Sequence, residues 1–119
     1  MITMAKPEME FWDPFASGES AWEPIEGVPG LAEYVLSKDP QTGSVTRLLR
    51  FDPGCDSTPM GVQRHDFWEE VLIYQGALHD LTLNKTFRAG EYACRPPGMA
   101  HGPWTTPEGC ITFEVRTYE

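Results

Sequence analysis

The chain is short of cysteine, of histidine, of basic residues and of long apolar runs, and each shortage closes off a class of protein. Its 119 residues carry three cysteines, Cys55, Cys94 and Cys110, widely spaced and without a C-x-x-C pair. Neither a disulfide framework nor a zinc knuckle is indicated, and the thiols read as reduced residues in or near a core. Nine Lys and Arg stand against eighteen Asp and Glu, a formal charge of −9. Phosphate backbones and anionic lipid surfaces repel such a chain, so neither nucleic acid nor a membrane is an expected partner. No apolar run approaches the roughly 18 residues that a membrane-crossing helix needs. The opening Met1-Ile-Thr-Met-Ala-Lys6-Pro7 lacks the apolar stretch of a secretory signal, which leads to the expectation of a cytoplasmic protein. The length suits one domain, and 40% hydrophobic with 23% charged residues excludes a fully disordered chain.

Glycine and proline are abundant, eleven of each. They punctuate the whole chain and leave few stretches for a long helix. Residues 1–30 read as an irregular arm, with Phe11, Trp12, Phe15 and Trp22 set among Pro7, Pro14, Pro24 and Pro29. Those aromatics are expected to anchor the arm on the main domain or on a second subunit, with a substrate lid as the functional alternative. From residue 31 to 119 the pattern is short strands between turn signals. Strands are predicted over 32–37, 44–51, 69–74, 78–83 and 91–95. Around residues 111–116, Ile111, Phe113 and Val115 alternate with Thr112, Glu114 and Arg116, the period of a half-buried strand. Many short strands at this spacing argue for an all-β sandwich or barrel.

The three histidines, His65, His79 and His101, all fall in the central strands. Residues two apart on a strand share a face. Gln63, His65, Phe67, Glu69, Val71 and Ile73 therefore line up, with the apolar members marking the inward side; Glu69 reads as the inward carboxylate and Glu70 as the surface one. The same parity groups His79 with Leu81 and Leu83 and predicts that it too points inward. A carboxylate inside a small barrel is destabilising unless paired or neutralised. A divalent metal supplies that charge, and imidazole with carboxylate suits Zn, Fe, Mn, Ni or Cu. The alternative is that each histidine is a satisfied core or surface residue.

These residues fall into two blocks, and the blocks resemble a known family. In Gln63-Arg-His65-Asp-Phe-Trp-Glu69-Glu-Val-Leu-Ile-Tyr-Gln-Gly76, the residues His65, Glu69 and Gly76 match the first motif of the cupins. Gly90-Glu-Tyr-Ala-Cys-Arg-Pro96-Pro97-Gly98-Met-Ala-His101 matches the second. Asp39-Pro-Gln-Thr-Gly43, Phe51-Asp-Pro-Gly54 and Pro107-Glu-Gly109-Cys110 resemble the cupin type found in the C-terminal domain of the ChrR anti-sigma factor and in related single-domain cupins. The likeness spans about residues 28–117. It implies a double-stranded β-helix, the jelly-roll barrel, holding one divalent transition metal (Fe, Zn, Mn or Ni). His65, Glu69 and His101 are the implied ligands. Gln63 stands where the family has its first histidine. Its carboxamide oxygen is a weaker donor than imidazole, and it either completes the site, yields that place to His79, or leaves metal weakly bound or absent.

Glu69 or His79 is the candidate for moving protons, provided it is not tied to the metal. Phe67, Trp68, Tyr74, Met99 and Trp104 lie near the motif residues in sequence, and either pack the barrel or line an apolar substrate pocket. Arg95 or Arg64 is available to anchor an anionic group. The resemblance implies a metal-dependent enzyme acting on a small organic molecule, with dioxygenase-type C–C cleavage of a diketone or hydroxylated aryl ketone foremost, and a homodimer. The other readings are a non-catalytic metal-binding or ligand-binding sensor, and a redox-neutral isomerase, cyclase or lyase.

Overall fold

The computed structural model describes residues 6–118; residues 1–5 and 119, at the ends of the expected arm and barrel, lie outside the described residues. Glu23–Pro24 (β1) adds a short rib to Leu31–Lys38 (β2). The turn that follows is closed by the Asp39 side chain, which accepts from the backbone N–H of Gln41 at 2.8 Å. Gly43 leaves the turn at φ +83°, a conformation that side chains other than glycine's rarely adopt. Val45–Phe51 (β3) then returns antiparallel to β2. Cys55–Asp56 (β4), Trp68–Asp80 (β5), Lys85–Arg88 (β6), Tyr92–Arg95 (β7), Trp104–Thr106 (β8) and Cys110–Thr117 (β9) complete a nine-stranded antiparallel sheet. The order runs β1-β2-β3-β9-β5-β8-β4, with β6 and β7 also pairing with β5.

The curl of this sheet is set inside β5. The pairing with β9 shifts register between Ile73 and Gln75, a bulge. Before the bulge β5 pairs with β7 and β9; beyond it the β9 pairing runs on through Gly76, and from Ala77 β5 pairs with β6 and β8. Gly76 follows the bulge at φ +80°, and a Cβ there would stand 2.0 Å from the Gly109 carbonyl oxygen. One strand thus serves both halves of a curled sheet, and 69–74 and 78–83 are not the separate strands that Gly76 suggests in the sequence. Residues 81–84 form a turn instead.

Val28, Leu31, Leu49, Phe51, Cys55, Ile73, Leu78 and Cys110 form the core, with Ile25, Phe87 and Trp104 packed on it. The cysteines are free, Cys55 and Cys110 buried and Cys94 exposed; burial pushes the Cys110 thiol up to about 12. The segment before β2 packs through Trp12, Phe15 and Trp22, while Phe11, expected to anchor with them, is fully exposed. Trp12 and Trp22 meet Tyr34 edge-on at 6.2 and 5.7 Å, and Phe15 stacks on Tyr74 at 5.1 Å. Among the described residues no helix is long and apolar enough to cross a membrane.

Candidate metal and substrate site

The site begins with strand alternation. Glu69, Val71 and Ile73 are buried while Trp68, Glu70 and Leu72 face out. Sheet register places Glu69 directly between Arg95 of β7 and Arg116 of β9. Glu69, 3% exposed, takes a bond on each oxygen: Oε1 from Arg95 Nη1 at 2.9 Å and Oε2 from Arg116 Nε at 3.0 Å. Register also sets Arg47 opposite Glu114. Arg47 spends its whole fork, giving Nε and Nη2 to Glu114 at 2.9 and 2.8 Å and Nη1 to Glu33 at 2.5 Å. Thr112 donates to the other Glu114 oxygen at 2.9 Å.

Two imidazoles join Glu69. The backbone of His101 is pinned by a two-way bridge with Gln63, at 2.7 and 3.0 Å, and its ring stacks on Trp104 at 5.2 Å. The His65 ring lies flat on Phe67 at 4.5 Å and 4.8 Å from the His101 ring. One ligand atom from each of His65, Glu69 and His101 falls within 4.8 Å of the others. Both ring nitrogens of His101 are buried without a hydrogen-bond partner among the described residues. Burial, followed by the nearby Arg95 charge, lowers the His101 pKa to about 4, and burial also lowers that of His65. Both rings are thus uncharged near neutrality, the form that ligates metal. The 3.9 Å approach of His101 Nε2 to Glu69 Oε1 is accordingly proximity rather than an ion pair. A buried imidazole with two unbonded nitrogens beside a carboxylate and a second imidazole fits a borderline divalent ion.

These groups line a cavity of about 400 Å³, together with Gln63, Trp104, Leu49, Phe51, Val71 and Leu78. The amide nitrogen of Gln63 donates to the Met60 carbonyl at 2.7 Å. A second cavity of about 240 Å³ adjoins it, walled by apolar residues such as Ile73, Phe87, Ala93 and Met99; Arg95, His101 and Trp104 line both.

Of the residues singled out in the sequence, Gln63, His65, Glu69, His101 and Trp104 meet in the first cavity, and Met99 lines the second. Phe67 is buried behind His65 and touches the Arg116 guanidinium at 4.8 Å. Trp68 and Tyr74 are not among the lining residues; they sit on the outer face of β5, 36% and 55% exposed. His79 is corrected. Beyond the β5 bulge Ala77, Leu78 and Asp80 are buried, while His79 is half-buried, its Nδ1 lies 3.0 Å from Thr86 Oγ1, and it does not line the cavity. Arg64 donates to the Gly98 carbonyl at 2.9 Å and lines neither cavity.

Sequence reasoning missed Arg47, Glu33, Thr112, Glu114 and Arg116 as interior residues. On β9 the period of two holds, but Thr112 and Glu114 are buried while Phe113 is 38% exposed. The available signal was Glu69 itself, since an inward carboxylate calls for cationic partners on the neighbouring strands.

The model of the ChrR Cupin-like domain matches residues 15–118. A sequence search of curated proteins finds no match. Among solved structures, an RmlC-like cupin from Shewanella frigidimarina superposes with a TM-score of 0.70 at 23% identity, covering 95% of this chain and 93% of that one. An acetylacetone dioxygenase from Acinetobacter johnsonii gives 0.71 at 15% identity, covering 98% and 78%. The polyketide cyclase RemF from Streptomyces resistomycificus gives 0.69 at 18% identity, covering 92% and 79%. The nearly all-β curled sheet is the cupin fold, as the two motifs led us to expect, and the chain belongs to the ChrR Cupin-like domain family.

Proposed function

We propose that the protein is a metal-dependent enzyme acting on a small organic molecule held in the larger cavity, with dioxygenase-type C–C cleavage of a diketone or hydroxylated aryl ketone as its reaction. The observation that carries this reading is the His101 ring, buried with neither nitrogen bonded, beside His65 and Glu69. His65, Glu69 and His101 would hold the ion, with the Gln63 carboxamide as the fourth donor. When bound, a divalent transition metal supplies Lewis acidity toward substrate oxygens and, if redox-active, electrons for O2 chemistry.

The chain's own residues do the rest. Trp104 and Phe67 hold the two imidazole planes. Arg95 and Arg116 fix the orientation of the Glu69 carboxylate. Leu49, Phe51, Val71 and Leu78 keep that part of the wall apolar and limit water around the reacting atoms. His79, outside the cavity, has no part in the reaction.

Elemental analysis of purified protein, followed by oxygen uptake with iron-loaded protein and a panel of diketones and aryl ketones, tests the proposal. Near-stoichiometric metal in the wild type, its loss in His101→Ala and substrate-dependent oxygen uptake are the expected results. Metal retained in His101→Ala would refute the ligand set. Metal bound without oxygen uptake would favour redox-neutral isomerase, cyclase or lyase chemistry. The weaker Gln63 donor, in place of an imidazole, is the feature that points that way.

A further inference from the structure

Three arginines and three glutamates line the larger cavity: Arg47, Arg95 and Arg116 against Glu33, Glu69 and Glu114. These six side chains balance three against three. A divalent cation among His65, Glu69 and His101 adds two positive charges and draws on the carboxylate that now serves Arg95 and Arg116. In a poorly solvated interior an excess of that size is unfavourable unless an anion enters with the metal.

The three guanidinium groups are not equivalent in what they have left to offer. Arg47 spends Nε, Nη1 and Nη2 on Glu33 and Glu114. Among the described residues Arg95 makes one ion pair, through Nη1 to Glu69, and it lies over the Trp104 ring at 5.3 Å. Arg116 likewise makes one ion pair, through Nε to Glu69, but lines the larger cavity alone, whereas Arg95 lines both. A guanidinium has five N–H donors in a planar fork that matches a carboxylate two-on-two. Arg95 thus presents unspent donors beside the three candidate ligands, where a metal would leave a positive excess.

We propose that the substrate carries a carboxylate, seated on Arg95, in addition to the two oxygens that chelate the metal: a 2,4-dioxo acid rather than a neutral diketone. The inference rests on the metal-dependent reading and narrows its substrate class. Acetylpyruvate and acetylacetone offer the same pair of carbonyl oxygens and differ in a carboxylate replacing a methyl group, so they isolate the contribution of that anion. Zinc-loaded protein is redox-inert and allows both to be titrated by calorimetry without turnover.

Acetylpyruvate should bind the wild type more tightly than acetylacetone. Because Arg95 also holds Glu69, the readout is the ratio of the two probes: Arg95→Gln should shrink the preference for acetylpyruvate over acetylacetone by roughly 10- to 100-fold, the worth of a charge-assisted bond. Both probes are titrated into zinc-saturated protein, and a variant that has lost its fold would not take up zinc. Arg95→Lys keeps the charge and should recover part of the acetylpyruvate affinity, and it carries the test if the glutamine variant does not fold. Zinc uptake with no preference for acetylpyruvate, or equal loss of both probes in Arg95→Gln, overturns this inference alone. A wild type that takes up no zinc overturns the metal-dependent reading and this inference with it.

Discussion

His101 is the residue at which burial, charge and ligation act on one group. Its pKa falls from 6.5 to about 4 because burial disfavours the imidazolium, with the Arg95 charge adding to the effect. The folded value lies below the unfolded one, so as pH falls the unfolded chain takes up the proton first. The stability associated with this group is complete above about pH 6.5 and is lost progressively as pH drops toward about 4. Metal-free protein should lose about 1–2 kcal/mol between about pH 7 and pH 5 through this residue. Urea denaturation at the two pH values measures it, and His101→Phe should flatten that part of the slope; an unchanged slope would mean that the ring is not held neutral in the fold. His65, Glu69 and His101 were legible in the sequence because inward parity and the two motifs agree on them. Arg47 and Glu114 were not, because a charged residue on a strand reads as a solvent-facing one until its cross-strand partner is known. The register that sets Arg95 and Arg116 on either side of Glu69 is tertiary information.

At the scale of elements, β5 decides both the curl and the site. Its bulge sends Glu69 and Val71 into one cavity, then resets the face so that Leu78 and Asp80 are buried and His79 is not. Counting by twos cannot register an inserted residue, which is why the alternation held through Ile73 and failed beyond it. Turn signals were more dependable: Asp39 to Gly43 and Pro96-Pro97-Gly98 both end strands as expected. Short β6 and β8 escaped notice, since neither shows a long run of β-forming residues. The bulge leans on Gly76, whose positive φ and approach to the Gly109 carbonyl leave no room for a side chain. Gly76→Ala should therefore destabilise the protein by about 3–5 kcal/mol, combining backbone strain with displacement of the Gly109 loop. Equilibrium denaturation reads this directly. A loss below about 1 kcal/mol, within the range of an ordinary substitution, would show that the loop yields freely and that the curl does not depend on this contact.

Over the whole molecule the charge is partitioned. The six cavity-lining charges cancel, so the rest of the chain, 9 − 3 = 6 basic and 18 − 3 = 15 acidic residues, carries the entire −9. That field raises the local concentration of cations, and it is screened by salt. The candidate ligands come from the approach to β5, from β5 itself and from the segment between β7 and β8, so an ion bound there ties together parts of the chain that are distant in sequence. An ion that binds the folded state but not the unfolded chain stabilises it by RT ln(1 + [L]/Kd), about 2.7 kcal/mol at roughly 100 times Kd. Zinc at such an excess should raise the urea midpoint of the wild type accordingly, and His65→Ala and His101→Ala should abolish the gain. Cations gathered loosely by the acidic surface would behave differently, with a small effect, the same in all three proteins and erased by added salt. A zinc-induced shift that survives both substitutions would therefore assign the ion to the surface and remove the metal centre from the barrel.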